Sequence, residues 1–147
     1  MKVLISQDPS QGPTYVEIHC KDVTKEVTRL QTYISNYSAG IKASDGEETI
    51  LVALSEIFYI ESVDKKTFLY TKDRVLATEK RLYELEELLD RRDFFRCSKS
   101  VIVNLSKISK LKPEITRNVL ATLSNGEVVV ISRRYVSDLK KLLGIGG

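Results

Sequence analysis

From Ile50 to Ile131 the apolar residues come in runs of strand length, each closed by turn residues. That pattern constrains the fold more than any other feature, because short runs at this spacing predict a β-rich domain. Residues 50–54 and 57–63 flank Ser55-Glu56, and Asp64-Lys65-Lys66 reads as a turn into residues 67–71. Lys72-Asp73 turns into residues 74–77, and further strands are expected at 94–97, 101–103, 108–111 and 118–123. Asn125-Gly126 is the strongest local signal. It suits a two-residue type I′ turn joining 118–124 to 127–131. Two helices interrupt or follow the strands. One is expected over 79–91, capped by Thr78, with Leu82, Leu85, Leu88 and Leu89 on one face. The other is capped by Ser132, buries Val136, Leu139, Leu142 and Leu143, and ends at Gly144.

The first 45 residues read differently. Residues 6–14 hold two prolines and a glycine and form a loop. Residues 15–20 alternate and predict a strand paired with residues 2–5. Asp22 caps a helix over 23–37 whose stripe is Val23, Val27, Leu30, Ile34 and Tyr37. Residues 38–46 are polar and contain glycine, so the boundary is placed there. The expected organisation is an αβ appendage over 1–45 and a mainly β domain over 46–147. A lone helix of this length is marginal in water, so its stripe must pack on something. Its heptad-like spacing suits a two-helix seam, which makes 1–45 the candidate homodimer contact. Packing on its own β-domain is the alternative.

Composition excludes several function classes. No apolar run approaches the roughly 20 residues of a membrane-spanning helix. The apolar start before Asp8-Pro9 is too short for a signal peptide, so a cytoplasmic protein is expected. Cys20 and Cys97 set no disulfide framework, and with His19 as the sole histidine they leave no plausible zinc site. His19 and Cys20 are neighbours on one predicted strand and so point to opposite faces. No phosphate-binding loop, dinucleotide fingerprint or nucleophile elbow is present. Glu84, Glu86 and Glu87 read as the solvated face of a helix rather than as catalytic carboxylates. The seven tyrosines do not form the paired aromatic motif of an RNA-binding sheet. No enzyme, cofactor or metal is expected.

Charge is unevenly placed. Residues 46–95 hold 8 basic and 12 acidic side chains, whereas residues 96–147 hold 10 basic and 3 acidic ones. A basic final third fits a polyanion-facing surface, although charge by itself also fits a solvated one.

An ordered series of blocks narrows this. They are Ile57-Phe58-Tyr59-Ile60-Glu61, Leu82-Tyr83-Glu84-Leu85-Glu86, and the run from Phe94-Phe95-Arg96-Cys97-Ser98-Lys99 through Val101-Ile102-Val103-Asn104-Leu105. Ile108, Asn125-Gly126 and Ile131-Ser132-Arg133-Arg134-Tyr135 follow. In this order, from about Asp45 to Leu143, they resemble the LytTR DNA-binding domain of bacterial transcription regulators. The resemblance implies an elongated arrangement of antiparallel sheets with short helices, which inserts loops into successive major grooves of a repeated double-stranded DNA site. It implies three DNA-facing places: Lys65, Lys66 and Thr67; Ser98 and Lys99; and Arg133 and Arg134. Arginine can hold guanine bidentately and lysine can neutralise phosphate. The bland alternative for Arg133 and Arg134 is pairing with acids near the last helix. Ser98-Lys99 departs from the histidine-containing form common in the family. Asn104 falls on a structural Val-Asn step and is read as a backbone hydrogen-bonder. The 45 residues before the match are too few for a phosphoacceptor receiver of about 120 residues. The resemblance therefore implies a stand-alone regulator, and family analogy allows a regulatory protein partner. The rival is a protein-interaction module that uses the N-terminal amphipathic helix and binds no DNA. Cys97, between Arg96 and Lys99, is read as a buried thiol in preference to a reactive thiolate.

Overall fold

The computed structural model describes residues 1–37 and 40–145. Ten strands follow a first helix: α1 (Lys25–Tyr37), β1 (Ile41–Ser44), β2 (Thr49–Val52), β3 (Tyr59–Val63), β4 (Lys66–Tyr70) and β5 (Val75–Thr78). Then come α2 (Leu82–Leu88), β6 (Phe94–Arg96), β7 (Val101–Asn104), β8 (Ile108–Pro113), β9 (Val119–Leu123), β10 (Val128–Ile131) and α3 (Arg133–Leu143). The strands form two antiparallel sheets, ordered β2-β1-β5-β4-β3-β7-β6 and β10-β9-β8. The mainly β reading with short helices is thus what the chain adopts.

The large sheet has apolar side chains on both faces where β3, β6 and β7 meet. Ile60, Phe94 and Ile102 join Leu82, Leu85 and Leu89 in one core, beneath α2. Phe58, Phe95 and Val103 join Leu123, Ile131 and Leu139 in a second, shared with the small sheet and α3. Alternation sends Phe94 one way and Phe95 the other, so these strands read as continuous apolar runs. Asn104 is buried between the cores. Its Nδ2 donates to the Ile57 carbonyl at 2.8 Å, and its Oδ1 accepts from Ser106 N and Oγ at 3.1 and 2.8 Å. That is the backbone-bonding role read for it.

Several expectations need correction. Residues 2–5 and 15–20 form no strands, and their side chains are exposed. The helix begins at Lys25, with Thr24 Oγ1 rather than Asp22 accepting from Val27 N at 3.3 Å. Val23 precedes it and is exposed, while Val27, Leu30 and Ile34 are half-buried. The side chain of Tyr37, and Ser38 and Ala39 of the expected boundary, lie outside the described residues. The rest of that boundary is not a linker: Ile41–Ser44 is a strand between β2 and β5, with Ile41 and Ala43 in the core. Thr78 ends β5, bonding the Lys42 carbonyl at 2.9 Å, and does not cap α2. Ser132 occupies the N-cap of α3, but Asn118 Oδ1 makes the bond, accepting from Arg133 N at 2.9 Å. Leu143 is exposed rather than buried.

The turns also exchange roles. Positive φ is confined to Gly126 (89°) in the β9–β10 turn, with Gly126 N bonding Leu123 O and Leu123 N bonding Glu127 O. That is a three-residue loop closed by a left-handed glycine, not a type I′ turn. The pair with positive φ at both central residues is Asp64 (49°) and Lys65 (67°), between β3 and β4.

Candidate nucleic-acid interface

Backbone pairing gathers the three expected DNA-facing places at one end of the large sheet. β3 runs antiparallel to β7 with Glu61 opposite Val101. The turn after β3 and the loop before β7 are therefore neighbours, tied by Ser62 N to Ser100 O at 2.8 Å. Ser132 N donates to Cys97 O at 2.8 Å, which brings the start of α3 to the same loop. Lys65, Lys66, Lys99, Arg133 and Arg134 are exposed, and Ser98 is half-buried. Thr67 does not belong with them. It is 3% exposed within β4, opposite Ser62 and Thr78, and so points into the fold. Among the described residues the ion pairs are Asp45–Arg74, Asp90–Arg92 and Glu86–Arg96, and His19 Nε2 lies 3.4 Å from Glu17. Arg133 and Arg134 are therefore not neutralised by acids near the last helix.

Two arginines brace the loops, and neither stood out in the sequence. Arg96 Nε donates to Ser98 O at 2.7 Å, and its other nitrogens reach Lys99 O and, at 3.5 Å, Glu86. Arg81 donates to Lys65 O at 2.8 Å, which holds the β3–β4 turn from the start of α2. Period-2 alternation does place Arg96 on the Phe94 face, toward α2, and is the one sequence signal that could have found it.

Beneath the loops the core is inert. Cys97 is fully buried, and burial pushes its thiol up to about 12, against the weaker pull of Arg96. Tyr59 and Tyr70 stack with centroids 4.2 Å apart. Burial, together with the bond from its hydroxyl to Glu61 at 2.9 Å, pushes Tyr70 up to about 12. No group of His, Cys, Asp and Glu among the described residues could hold a metal ion. No helix among them is long and apolar enough to cross a membrane.

The fold is one already known. The LytTr DNA-binding domain family matches residues 47–144. A solved LytTr DNA-binding domain from Bacillus cereus superposes with a TM-score of 0.70 at 32% identity, covering 74% of this chain and 99% of its own. The sensory transduction protein LytT of Bacillus cereus is 31% identical over 145 residues, 99% of this chain. This chain spans 54% of LytT's length, about half. The uncharacterized HTH-type transcriptional regulator SAB2242 of Staphylococcus aureus is 26% identical over 147 residues, 99% of each chain. The transcriptional regulatory protein YpdB of Escherichia coli (strain K12) is 30% identical over 98 residues, 66% of this chain and 40% of its own.

Proposed function

Because the chain belongs to the LytTR DNA-binding domain family, a family of DNA-binding transcription regulators rather than of enzymes, we propose that it regulates transcription by inserting loops into the major groove of a repeated DNA site. The observation that carries this is the gathering of Lys65-Lys66, Ser98-Lys99 and Arg133-Arg134 by the Ser62–Ser100 and Cys97–Ser132 backbone bonds. Residues far apart in sequence then face one partner. Lysines on short, braced loops and arginines at the start of α3 supply phosphate contacts and bidentate base contacts. Among the described residues the three α-helices are separated by strands, so no two are consecutive as a helix-turn-helix needs.

We assign Arg134 and Lys99 to base edges and Lys65, Lys66 and Arg133 to the backbone. The N-terminal segment joins two copies, which suits a repeated site. Work on chromosomal DNA places the protein in the cytoplasm, and a regulatory protein partner is read by family analogy alone. Selection of bound fragments from random duplex DNA, under excess nonspecific competitor, tests the proposal. A recovered consensus with two half-sites is expected. Recovery of no sequence, or a log–log salt dependence that is flat instead of falling by about 0.9 per phosphate contact, would refute it.

A further inference from the structure

A cleft of about 920 Å³ lies between α3 and the tip of the β8–β9 hairpin. Arg117, Arg133, Arg134, Lys140 and Lys141 line it, with Glu114 as its one acid among the described residues. Among the described residues none of these five cations is in an ion pair. The Asn118–Arg133 bond ties the hairpin to the first turn of α3, so the two walls are held together.

Arg117 is the unusual member. Its hairpin closes with Arg117 N to Glu114 O at 3.0 Å and Glu114 N to Asn118 O at 2.9 Å. The β9–β10 hairpin closes with the same pair of bonds, Gly126 N to Leu123 O and Leu123 N to Glu127 O, at 2.9 and 2.8 Å. The closing position has φ 89° at Gly126 and φ 73° at Arg117. A β-carbon in the left-handed region costs free energy that glycine avoids. Among the described residues its side chain makes no hydrogen bond or ion pair to offset that cost. Such an outlier points to a demand from outside the fold.

We propose that this cleft is a cradle for the sugar–phosphate backbone of the bound duplex, with Arg117 clamping from the hairpin and Lys140 and Lys141 from α3. The inference rests on the DNA-binding reading above. Arg133 and Arg134 belong both to the cleft and to the gathered loops, so the phosphate path continues the proposed interface. The occupant is therefore duplex backbone rather than a free anion. Lys140 and Lys141 also favour the C-terminal end of α3 through the helix dipole. Arg117 has no such role, and the test leans on it.

Binding of the selected duplex and of an unrelated one is measured against salt for wild type, Arg117→Gly and Lys140→Ala/Lys141→Ala, each as the full chain. Arg117→Gly should lower the magnitude of the log–log slope by about 0.9. It should weaken both duplexes alike, and its melting temperature should equal or exceed that of wild type. The lysine pair should lower the slope further. A slope unchanged in Arg117→Gly overturns the cradle, as does a loss confined to one base pair. Protection of the cleft by millimolar inorganic phosphate, with DNA slopes unaffected, also overturns it in favour of a free-anion site. If wild type binds no duplex, the DNA reading and the cradle fall together. If wild type binds and the variants match its slope, only the cradle falls.

Discussion

Arg96 Nε donates to the Ser98 carbonyl at 2.7 Å, and the same guanidinium serves the Lys99 carbonyl. One side chain thus fixes two successive peptide oxygens of the loop that carries Lys99, while Glu86 orients it from α2. Lysine has no planar fork and cannot span both oxygens. Arg96→Lys should keep the fold and the net charge but free the loop. Preference for the selected duplex over an unrelated one should fall by about 1.5–3 kcal/mol, the worth of a charge-assisted hydrogen bond. Competition binding at fixed salt checks this, and an unaltered preference in a folded variant would remove the bracing role.

Exposure decided what could be read from the sequence. Lys65, Lys66, Lys99, Arg133 and Arg134 are exposed on turns or at the start of a strand or helix, where residue type is set by water or a partner and not by packing. Arg81 acts on the carbonyl of Lys65, 16 residues away, and no local pattern reports a bond of that kind. Thr67 was misassigned because register, not composition, decides which side of β4 faces the core. The Asn125-Gly126 signal located a hairpin but not its loop length. The bond from Leu123 N to Glu127 O sets that length, and it depends on where β9 and β10 pair. Residues 15–20 had the alternation of a strand, with residues 2–5 as the expected partner, yet a two-stranded hairpin lacks the burial to stand by itself.

Arg134→Ala should cost roughly 1–3 kcal/mol in binding and relax preference at one base pair. Lys99→Ala should behave the same way, and a loss that weakens all sequences alike would move its ammonium from base edge to phosphate. Titrating each variant against single-base variants of the selected site separates these outcomes. Unchanged binding by both folded variants would move the DNA surface elsewhere.

Cys97 gives a pH signature. Its thiol is raised from an ordinary value of 9.0 to about 12, first by burial. Below about pH 9 it is protonated in both folded and unfolded chains, so its contribution is fully present. Between 9 and 12 the unfolded chain alone loses the proton, so stability falls as pH rises. Tyr70, raised from 10.0 to about 12 by burial and Glu61, adds a fall of the same sign. Thermal melts across pH 8–12 should therefore show an alkaline decline that Cys97→Ala reduces. A thiol reagent at neutral pH should modify exposed Cys20 and leave Cys97 until the chain unfolds. Prompt labelling of Cys97 in the folded protein would contradict its burial.

The N-terminal segment yields the last test. The stripe of α1 is partly taken by its own domain, since Val27, Leu30 and Ile34 are half-buried and Tyr33 Oη donates to Asp93 Oδ2 at 3.2 Å. Before the helix nothing covers the apolar residues: Val3, Leu4 and Ile5 are 83, 79 and 95% exposed, and Val16 is 62% exposed. Residues 1–24 hold two basic and three acidic side chains, so little charge opposes contact between copies. Two copies could place the apolar segment 2–5 and the alternating segment 15–20 together in a sheet of more than two strands, with a shared apolar face. The full chain should therefore run as a dimer at tens of micromolar by light scattering. A fragment beginning at Gly40 should run as a monomer, because it keeps β1 and with it the buried Ile41 and Ala43. Val16→Asp/Ile18→Asp in the full chain should also give a monomer, with the sheet signal in circular dichroism retained. Two monomers, or two dimers, from the chain and the fragment would deny the segment a dimerising role.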